Sequence, residues 1–271
     1  MGNPEFLATS DASPPPYTES DPHAQVPGYE TAGPSAVAAT IKFPPALNGY
    51  YQWKFTTTFH LGPTAEQKLF AVSTHTPVFH NKPSVVLHDG PTNQHPVMAT
   101  ALADRWGRTR PIELTLPPRL DASYATEIVE SLVPSSSKLS TPTWTFEASV
   151  GPKGTMREKF QWRSSHGAEI KNLAGHSCGW KLVRLAESTS VGGSRKERDV
   201  GSTSDGLEVV AIIAHNASWS MTKGLRFAFL GSGLTGTMGE TWEILVLTSA
   251  LQLWYIDVQN NTAAASAAAA A

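Results

Sequence analysis

The feature that most constrains this chain is residues 237–258 (TMGETWEILVLTSALQLWYIDV), which predict one helix with an unusually wide apolar surface. Thr237 and Glu240 have the spacing of a capping box, so we expect Thr237 to be the N-cap. Apolar residues cover almost the whole circumference, and only Thr248, Ser249 and Gln252 form a narrow polar strip. Because a helix in water that is apolar on all sides must be surrounded, the rest of the chain has to enclose it.

Strand signals dominate the sequence upstream of this helix. Apolar and polar residues alternate in residues 143–150 and 156–163, which is typical of strands with one buried face. Residues 207–213 are apolar at nearly every position and predict a strand that is buried on both faces. Further candidate strands are residues 50–59, 68–73, 84–88, 97–102, 112–116, 179–185 and 225–230.

Short turn sequences separate these strands, at residues 88–91 (HDGP), 150–154 (VGPKG) and 204–206 (SDG). Longer loops are expected at residues 131–140 and 188–204. Short connections favour antiparallel neighbours, and many strands that must surround a helix favour a closed sheet. We therefore predict a mainly β fold, a closed antiparallel β-barrel of about 12 strands around a central apolar C-terminal α-helix.

Composition divides the chain into three regions. Residues 1–42 form a Pro- and Ser-rich arm with too few large apolar residues to offset the entropy of ordering, so we expect it to be disordered. Residues 43–259 carry the strands and the helix and are the barrel domain. Residues 260–271 form a low-complexity tail rich in alanine, which favours helix and can extend the preceding one.

Several short motifs follow one another in a recognisable order. They are VVLHDG at residues 85–90, KFQWR at 159–163, GWKL at 179–182, EVVA at 208–211 and the final helix at 242–256. This order resembles the tubby-like superfamily, and in particular its LURP-one-related branch, over about residues 43–258. The resemblance implies a closed barrel around a central helix without a hydrolytic or redox centre. Some members of the superfamily bind phosphoinositides and the related scramblases act on lipids, although no lipid-contact residue of the family has a match here.

The bulk composition argues against several classes of protein. A net charge of −2 and a pI of about 6.5 provide no basic field for nucleic acid. The single cysteine, Cys178, cannot form an intrachain disulfide, which favours a reducing compartment. Residues 1–17 lack the pattern of a signal peptide, and the longest apolar run, residues 244–256, falls short of the about 20 residues that span a bilayer. We expect a cytoplasmic protein without a transmembrane span, with peripheral location at membranes as an alternative.

The arm contains one ligand motif, because Pro14, Pro15, Pro16 and Tyr17 match the PPxY ligand of WW domains. Consecutive prolines preform a polyproline II helix at low entropic cost, and the tyrosine ring fills a second pocket. The expected partner is a WW-domain protein such as a ubiquitin ligase. The chain is then a non-enzymatic adaptor whose barrel binds a second ligand of unknown identity.

The strand at residues 156–163 supports an alternative function, the binding of phosphoinositides or other anionic lipids by a peripheral or scramblase-like protein. Arg157, Lys159 and Arg163 alternate with apolar residues and are expected on the outer face, and Lys153 lies in the preceding turn. Each cation close to an anionic membrane contributes about 1 kcal/mol of attraction. The competing interpretation is an ordinary solvated strand face.

A third alternative, a nucleotide-dependent enzyme, comes from residues 231–236 (GSGLTG), which lie between a strand and the final helix. Glycines in this position resemble a dinucleotide-binding turn, and Asp257 follows at about the distance of the ribose-binding acid, roughly 20 residues. The upstream sequence, however, has no alternating βα pattern. We therefore expect a simple strand-to-helix turn.

We expect no catalytic residue, metal site or cofactor. Four histidines lie close together in the sequence: His75, His80, His88 and His95. Their spacing fits no zinc-ligand signature, and the prolines between them indicate turns. Cys178 lies near His176, but a lone cysteine that enters a strand is usually a small apolar residue.

Overall fold

Antiparallel strands form a closed barrel in the computed structural model of this chain. The structure describes residues 41–51, 57–76, 82–103, 110–119, 124–135, 142–151, 154–174, 178–185, 202–203, 205–215 and 223–269. The strands are β1 (Ala46–Tyr51), β2 (Thr58–Gly62), β3 (Phe70–Thr74), β4 (Val85–His88), β5 (Val97–Leu102), β6 (Ile112–Leu116), β7 (Ile128–Pro134), β8 (Thr143–Val150), β9 (Met156–Ser165), β10 (Gly179–Arg184), β11 (Val209–His215) and β12 (Lys223–Phe229). Helix α1 (Ala168–Ala174) follows β9, and a short 3-10 helix (Gly231–Leu234) precedes the long helix α2 (Glu240–Ala269).

Each strand of the barrel pairs with its neighbours in sequence, and β12 pairs with β1 to close the sheet. The prediction of a closed antiparallel barrel of 12 strands with a C-terminal helix is confirmed. The longest ladder joins β8 to β9, where Trp144 pairs with Trp162 and Phe146 with Phe160. All four side chains are buried, so the alternation in both strands directs their aromatic residues toward the interior.

Helix α2 occupies the interior of the barrel. Residues 242–254 are all buried, as expected for a helix that is apolar on nearly every side. The Trp242 ring lies 5.6 Å from that of Phe160 and 5.8 Å from that of Phe229, between centroids. Near the other end, the Trp254 ring lies 5.1 Å from that of Phe59. The helix and the inward side chains form one continuous core, in which each large side chain contributes about 1.5–3 kcal/mol by burial.

The polar strip of α2 is also buried, and two of its three members have specific partners on the barrel wall. Gln252 Oε1 accepts a hydrogen bond of 2.6 Å from the Ser84 hydroxyl. Ser249 Oγ accepts one of 2.9 Å from the indole N–H of Trp162. The Thr248 hydroxyl is buried without a hydrogen-bond partner among the described residues. Because buried polar groups require partners, these contacts fix the rotation of the helix inside the barrel.

The ends of α2 differ from the sequence prediction. The helix begins at Glu240, not near Thr237, because Gly239 precedes it with a φ of 89° that favours glycine. The Thr237 hydroxyl bonds to that of Thr235 at 2.6 Å, so the expected capping box is wrong. At its other end the helix continues to Ala269. Its apolar segment is fully buried only to Trp254, because the residues from 255 onward leave the barrel.

Helix α1, which the sequence analysis did not anticipate, covers the outside of β11 and β12. Its Ile170 is completely buried against Ile212, Ala214 and Ala228. The inner face of β11 meanwhile belongs to the main core through residues such as Ile213. The prediction that this strand is buried on both faces is therefore confirmed, and α1 is the physical reason.

Several strand limits also differ from the prediction. The segment 50–59 is not one strand, because β1 ends at Tyr51 and β2 begins at Thr58. Residues 131–134, expected in a loop, belong to β7. This strand escaped notice because its exposed valines break the usual alternation of apolar and polar residues. Most of the expected loop at 188–204 and the whole of residues 1–40 lie outside the described residues.

Candidate functional site

The pairing of the barrel is interrupted between β7 and β8. Their ladder contains only Val133 opposite Thr145 and Pro134 opposite Trp144, extended by a bond of 2.8 Å from Ser135 N–H to the Thr143 carbonyl. Yet β7 begins five residues earlier, and β8 continues through Val150. Residues 128–132 of β7 and residues 146–150 of β8 therefore have no ladder between them.

A cavity of about 470 Å³ lies at this interruption. It contacts outward-facing residues of three strands: Val129, Ser131 and Val133 of β7, Thr145 and Glu147 of β8, and Arg157 and Lys159 of β9. It also contacts Glu130 and Phe146, which alternate with those residues and so face the interior. A cavity that contacts both faces of a sheet lies in a gap between its strands. We call it the β7–β8 groove.

One ion pair crosses the β7–β8 groove. The Arg157 guanidinium reaches over β8 and binds both carboxylate oxygens of Glu130, with Nη2 to Oε2 at 2.9 Å. This contact raises the pKa of Arg157 above its usual value. Lys159 Nζ lies 3.3 Å from Glu147 Oε1, and Arg157 Nη2 lies 3.9 Å from Glu147 Oε2. The two cations and two carboxylates around the groove balance to zero net charge.

The predicted basic residues of β9, Arg157, Lys159 and Arg163, lie on its outer face, but each has an acidic neighbour. Arg163 Nη1 lies 2.8 Å from Asp205 Oδ2, away from the β7–β8 groove. Arg157 and Lys159 lie at the groove and contact the carboxylates described above. Lys153 falls outside the described residues, as do Pro14, Pro15, Pro16 and Tyr17. The sequence analysis did not identify the acidic partners, because Glu130 is 27 residues from Arg157.

The glycine-rich turn after β12 has a structural explanation. A Cβ on Gly233 would lie 2.4 Å from the Val210 carbonyl oxygen and 3.0 Å from the Trp242 ring, so close packing requires glycine there. The Ser232 N–H, which could have faced a phosphate, donates to Glu208 Oε1 at 2.6 Å, and the Ser232 hydroxyl donates to Glu208 Oε2 at 2.9 Å. A carboxylate of the chain itself thus occupies the position that a nucleotide phosphate would need.

A second group of polar residues lies where α2 leaves the barrel. Asp257 Oδ2 accepts a bond of 2.7 Å from the Trp180 indole and lies 3.0 Å from His215 Nε2. The backbone N–H of His215 donates to the Cys178 carbonyl at 3.0 Å. Cys178 itself is exposed. Within the described part of the chain its thiol has no hydrogen-bond partner, so the arrangement lacks the contact of an activated nucleophile.

The described histidines of the 75–95 region have ordinary hydrogen-bond partners. His88 bonds to the Ser73 hydroxyl at 3.1 Å, and His75 Nδ1 lies 3.1 Å from the Pro83 carbonyl. His80 lies outside the described residues. Across the ranges that the structure describes, no group of three or more His, Cys, Asp or Glu residues could hold a metal ion.

Glu243 is a buried acid that the sequence analysis did not identify. It lies in the first turn of α2 and is only 1% exposed. Its Oε2 accepts the backbone N–H of Lys42 at 2.8 Å and that of Phe43 at 3.3 Å, whereas Oε1 has no partner. Burial raises the pKa of Glu243 to about 7, despite the two N–H donors. The carboxylate thus holds the segment before β1 against the central helix.

Comparisons with known proteins add no assignment: no protein-family model matches this chain, and neither curated proteins nor solved structures gave a match. Among the described residues, no helix combines the length and the apolarity needed to cross a membrane.

Proposed function

We propose that this chain is a non-enzymatic binding protein of the adaptor type. Its arm binds a WW-domain protein through Pro14, Pro15, Pro16 and Tyr17, and its barrel binds a second ligand at the β7–β8 groove. The proposed assignment to the tubby-like superfamily, with its closed barrel and central helix, agrees with this function.

The observation that carries the proposal is the combination of a filled interior with an open groove on the barrel wall. Among the described residues, most inward side chains of the barrel and the enclosed turns of α2 have almost no exposed surface, so this part of the interior is filled by the chain itself. The β7–β8 groove in contrast has a volume of about 470 Å³ and contains both apolar and charged side chains. Ligand sites are usually concave and combine such surfaces.

The arm supplies the partner-binding half of the proposal. Its determinant is local, since a preformed polyproline turn and one aromatic ring suffice for a WW domain. Binding therefore does not require the folded barrel, and a synthetic peptide can represent it.

Titration of WW domains with a peptide of residues 10–21 tests this half directly. We expect weak binding, roughly 10–100 μM, because the contact is small and ordering entropy opposes it. Tyr17→Ala should remove most of the binding, and Pro15→Ala should weaken it. Thr18→Ala is the matched control, since Thr18 lies next to the motif but outside it. If several WW domains of the PPxY class give no saturable signal with the wild-type peptide, the adaptor function is wrong.

Anionic-lipid binding is the second candidate, because Arg157 and Lys159 are about half exposed at the β7–β8 groove, at 50% and 54% of their side chains. Glu130 and Glu147 offset both cations at short range. An attraction of about 1 kcal/mol per cation is then largely cancelled, which favours a ligand without a high negative charge.

A further inference from the structure

The backbone of the β7–β8 groove has hydrogen-bonding groups that no described strand pairs. The bond from Ser135 to Thr143 marks a hydrogen-bonded pair, and such pairs recur at every second residue of an antiparallel ladder. If this two-residue period continues along both strands, the N–H and C=O groups that point into the gap are those of Val129 and Ser131 on β7. On β8 they are those of Glu147 and Ser149. No described strand supplies the missing bonds at these positions.

The side chains of β7 complement this free edge. Val129 and Val133 are 50% and 44% exposed, and the small Ser131 lies between them on the same outer face. The two valines are four residues apart, which is about 13 Å along a strand. An extended chain in the gap would therefore lie beside Val129 and Ser131 and end against the side chain of Val133, where the β7–β8 ladder begins.

Charge favours the same kind of ligand. The carboxylates of Glu130 and Glu147 balance the cations of Arg157 and Lys159 at the groove. A polyanion would meet no net positive field there, whereas the uncharged backbone of a peptide needs none. The Arg157–Glu130 pair spans the gap with a half-exposed guanidinium and a carboxylate that is only 11% exposed. A ligand that displaces the guanidinium therefore has to supply other hydrogen-bond donors to Glu130, and the N–H groups of a peptide backbone can do so.

We propose that the β7–β8 groove binds an extended polypeptide segment with apolar residues at alternate positions, which adds a strand to the free edges of β7 and β8. This inference rests on the proposed function and specifies the class of the barrel's ligand. The Arg157–Glu130 pair acts as a removable cover that protects the open edges from unspecific strand pairing. Recognition combines main-chain hydrogen bonds with contacts to the two valines, as in other cases of strand addition.

The first test selects random peptides of about a dozen residues by phage display on the full chain, and titrates a labelled synthetic form of an enriched sequence. The variant Val129→Arg/Val133→Arg should weaken binding about tenfold or more, because it removes both apolar contacts. The matched control Val97→Arg/Leu102→Arg changes two similarly exposed residues on β5 and should bind as the wild type does. Equal binding by the wild type and both variants would overturn the location, and an absence of enriched peptides would overturn the ligand class.

The second test closes the groove reversibly. Paired positions of β7 and β8 sum to 278 (133 with 145, 134 with 144), so Ser131 would face Glu147 if the ladder continued. Ser131→Cys/Glu147→Cys in a Cys178→Ser background should bind the peptide when reduced and lose it when oxidised. If no disulfide forms, a large side chain at Ser131 provides the test instead. Ser131→Trp should fill the groove and abolish peptide binding, whereas Ser131→Ala should retain it. Peptide binding that is unaffected by the oxidised bridge, or by Ser131→Trp, would overturn the proposal.

Three further experiments distinguish strand addition from the other possible ligands of the groove. N-methylation of the peptide backbone should abolish binding if main-chain hydrogen bonds carry it, and retained binding would overturn strand addition. Flotation with phosphatidylserine vesicles that depends on Arg157 and Lys159, in the absence of peptide binding, would identify the ligand as lipid. A concentration-dependent dimer that Val129→Arg/Val133→Arg abolishes would identify it as a second copy of the chain. Both results overturn the polypeptide ligand but leave the groove as a binding surface, and the WW-domain titration is independent of all of them.

Discussion

At the scale of single residues, the central helix is joined to the wall by a few polar contacts in an otherwise apolar interior. Ser249 and Gln252 use theirs to fix the rotation of α2, and Glu243 uses its carboxylate to hold the backbone of Lys42 and Phe43. Glu243 differs from the other two because it titrates. A carboxylate in this position makes the stability of the barrel depend on pH.

We predict that Glu243 destabilises the fold as the pH rises. Its pKa is about 7 in the folded chain against a usual value of 4.5, so the native state holds the proton more tightly. The stabilisation is fully present below about pH 4.5 and is lost as the pH rises through about 7. The full effect is on the order of 3 kcal/mol, as the shift implies. Thermal unfolding of the wild type and Glu243→Gln across this range should show the difference.

The control for this prediction is Glu127→Gln, which changes an exposed carboxylate. It should keep the pH profile of the wild type, whereas Glu243→Gln should flatten it. Glutamine can still accept the two backbone N–H bonds, so the variant removes the titration and preserves the contact. Parallel profiles for the wild type and Glu243→Gln would contradict the assignment.

At the scale of elements, α2 has two parts with different surroundings. Residues 242–254 are enclosed by the barrel, whereas residues 261–264 are exposed. Alanine continues a helix without requiring tertiary contacts, because it has the highest intrinsic helix propensity. The same helix therefore contains a buried segment and an exposed one. The same type of substitution can be made in both, and its effects on folding can be compared.

We predict that Leu251→Asp prevents folding, whereas Ala264→Asp does not. An unpaired charge in the barrel core costs several kcal/mol, comparable to the total stability of a domain, about 5–15 kcal/mol. Leu251 is completely buried and Ala264 is exposed on the same helix. Chemical denaturation of both variants, followed by tryptophan fluorescence, measures the contrast. A cooperatively unfolding Leu251→Asp protein of wild-type stability would reject the enclosed helix.

Most elements could be predicted from the sequence because their signals are local. Alternation in residues 143–150 and 156–163 follows from one buried face, and the mostly apolar 242–256 segment requires enclosure. The 3-10 turn could not, because it depends on the packing of Gly233 against Val210 and Trp242, and the exact start of α2 could not, because it follows the positive φ of Gly239. Helix α1 also escaped prediction, since a helix of seven residues carries too short a pattern.

At the scale of the whole molecule, barrel and helix share one core. The inward residues of the strands surround α2, so the helix cannot leave without exposing the apolar interior of the barrel. Neither part buries its apolar surface alone. This mutual dependence is a property of the closed topology and applies to every strand that contacts the helix.

We predict that helix and barrel unfold together. Far-ultraviolet circular dichroism, which is sensitive to α2, and tryptophan fluorescence, which reports the barrel core, should give the same denaturation midpoint. Removal of residues 261–271 should leave that midpoint unchanged, because residues 261–264 and 266–268 are exposed. A helical signal that persists after the fluorescence transition would show that α2 is stable without the barrel.

The sequence by itself determined the class of the fold, because a helix that is apolar on nearly every side and many short alternating strands have few arrangements that bury both. It also determined the basic outer face of β9, since alternation separates Arg157 and Lys159 from the aromatic residues. Only the tertiary structure decided where the ladder between β7 and β8 ends, and thus where the groove opens. It also decided that Glu130 neutralises Arg157 and that Glu243 is buried, because these contacts join residues 27 and about 200 positions apart. Contacts over such distances depend on strand register and closure, which no local pattern encodes.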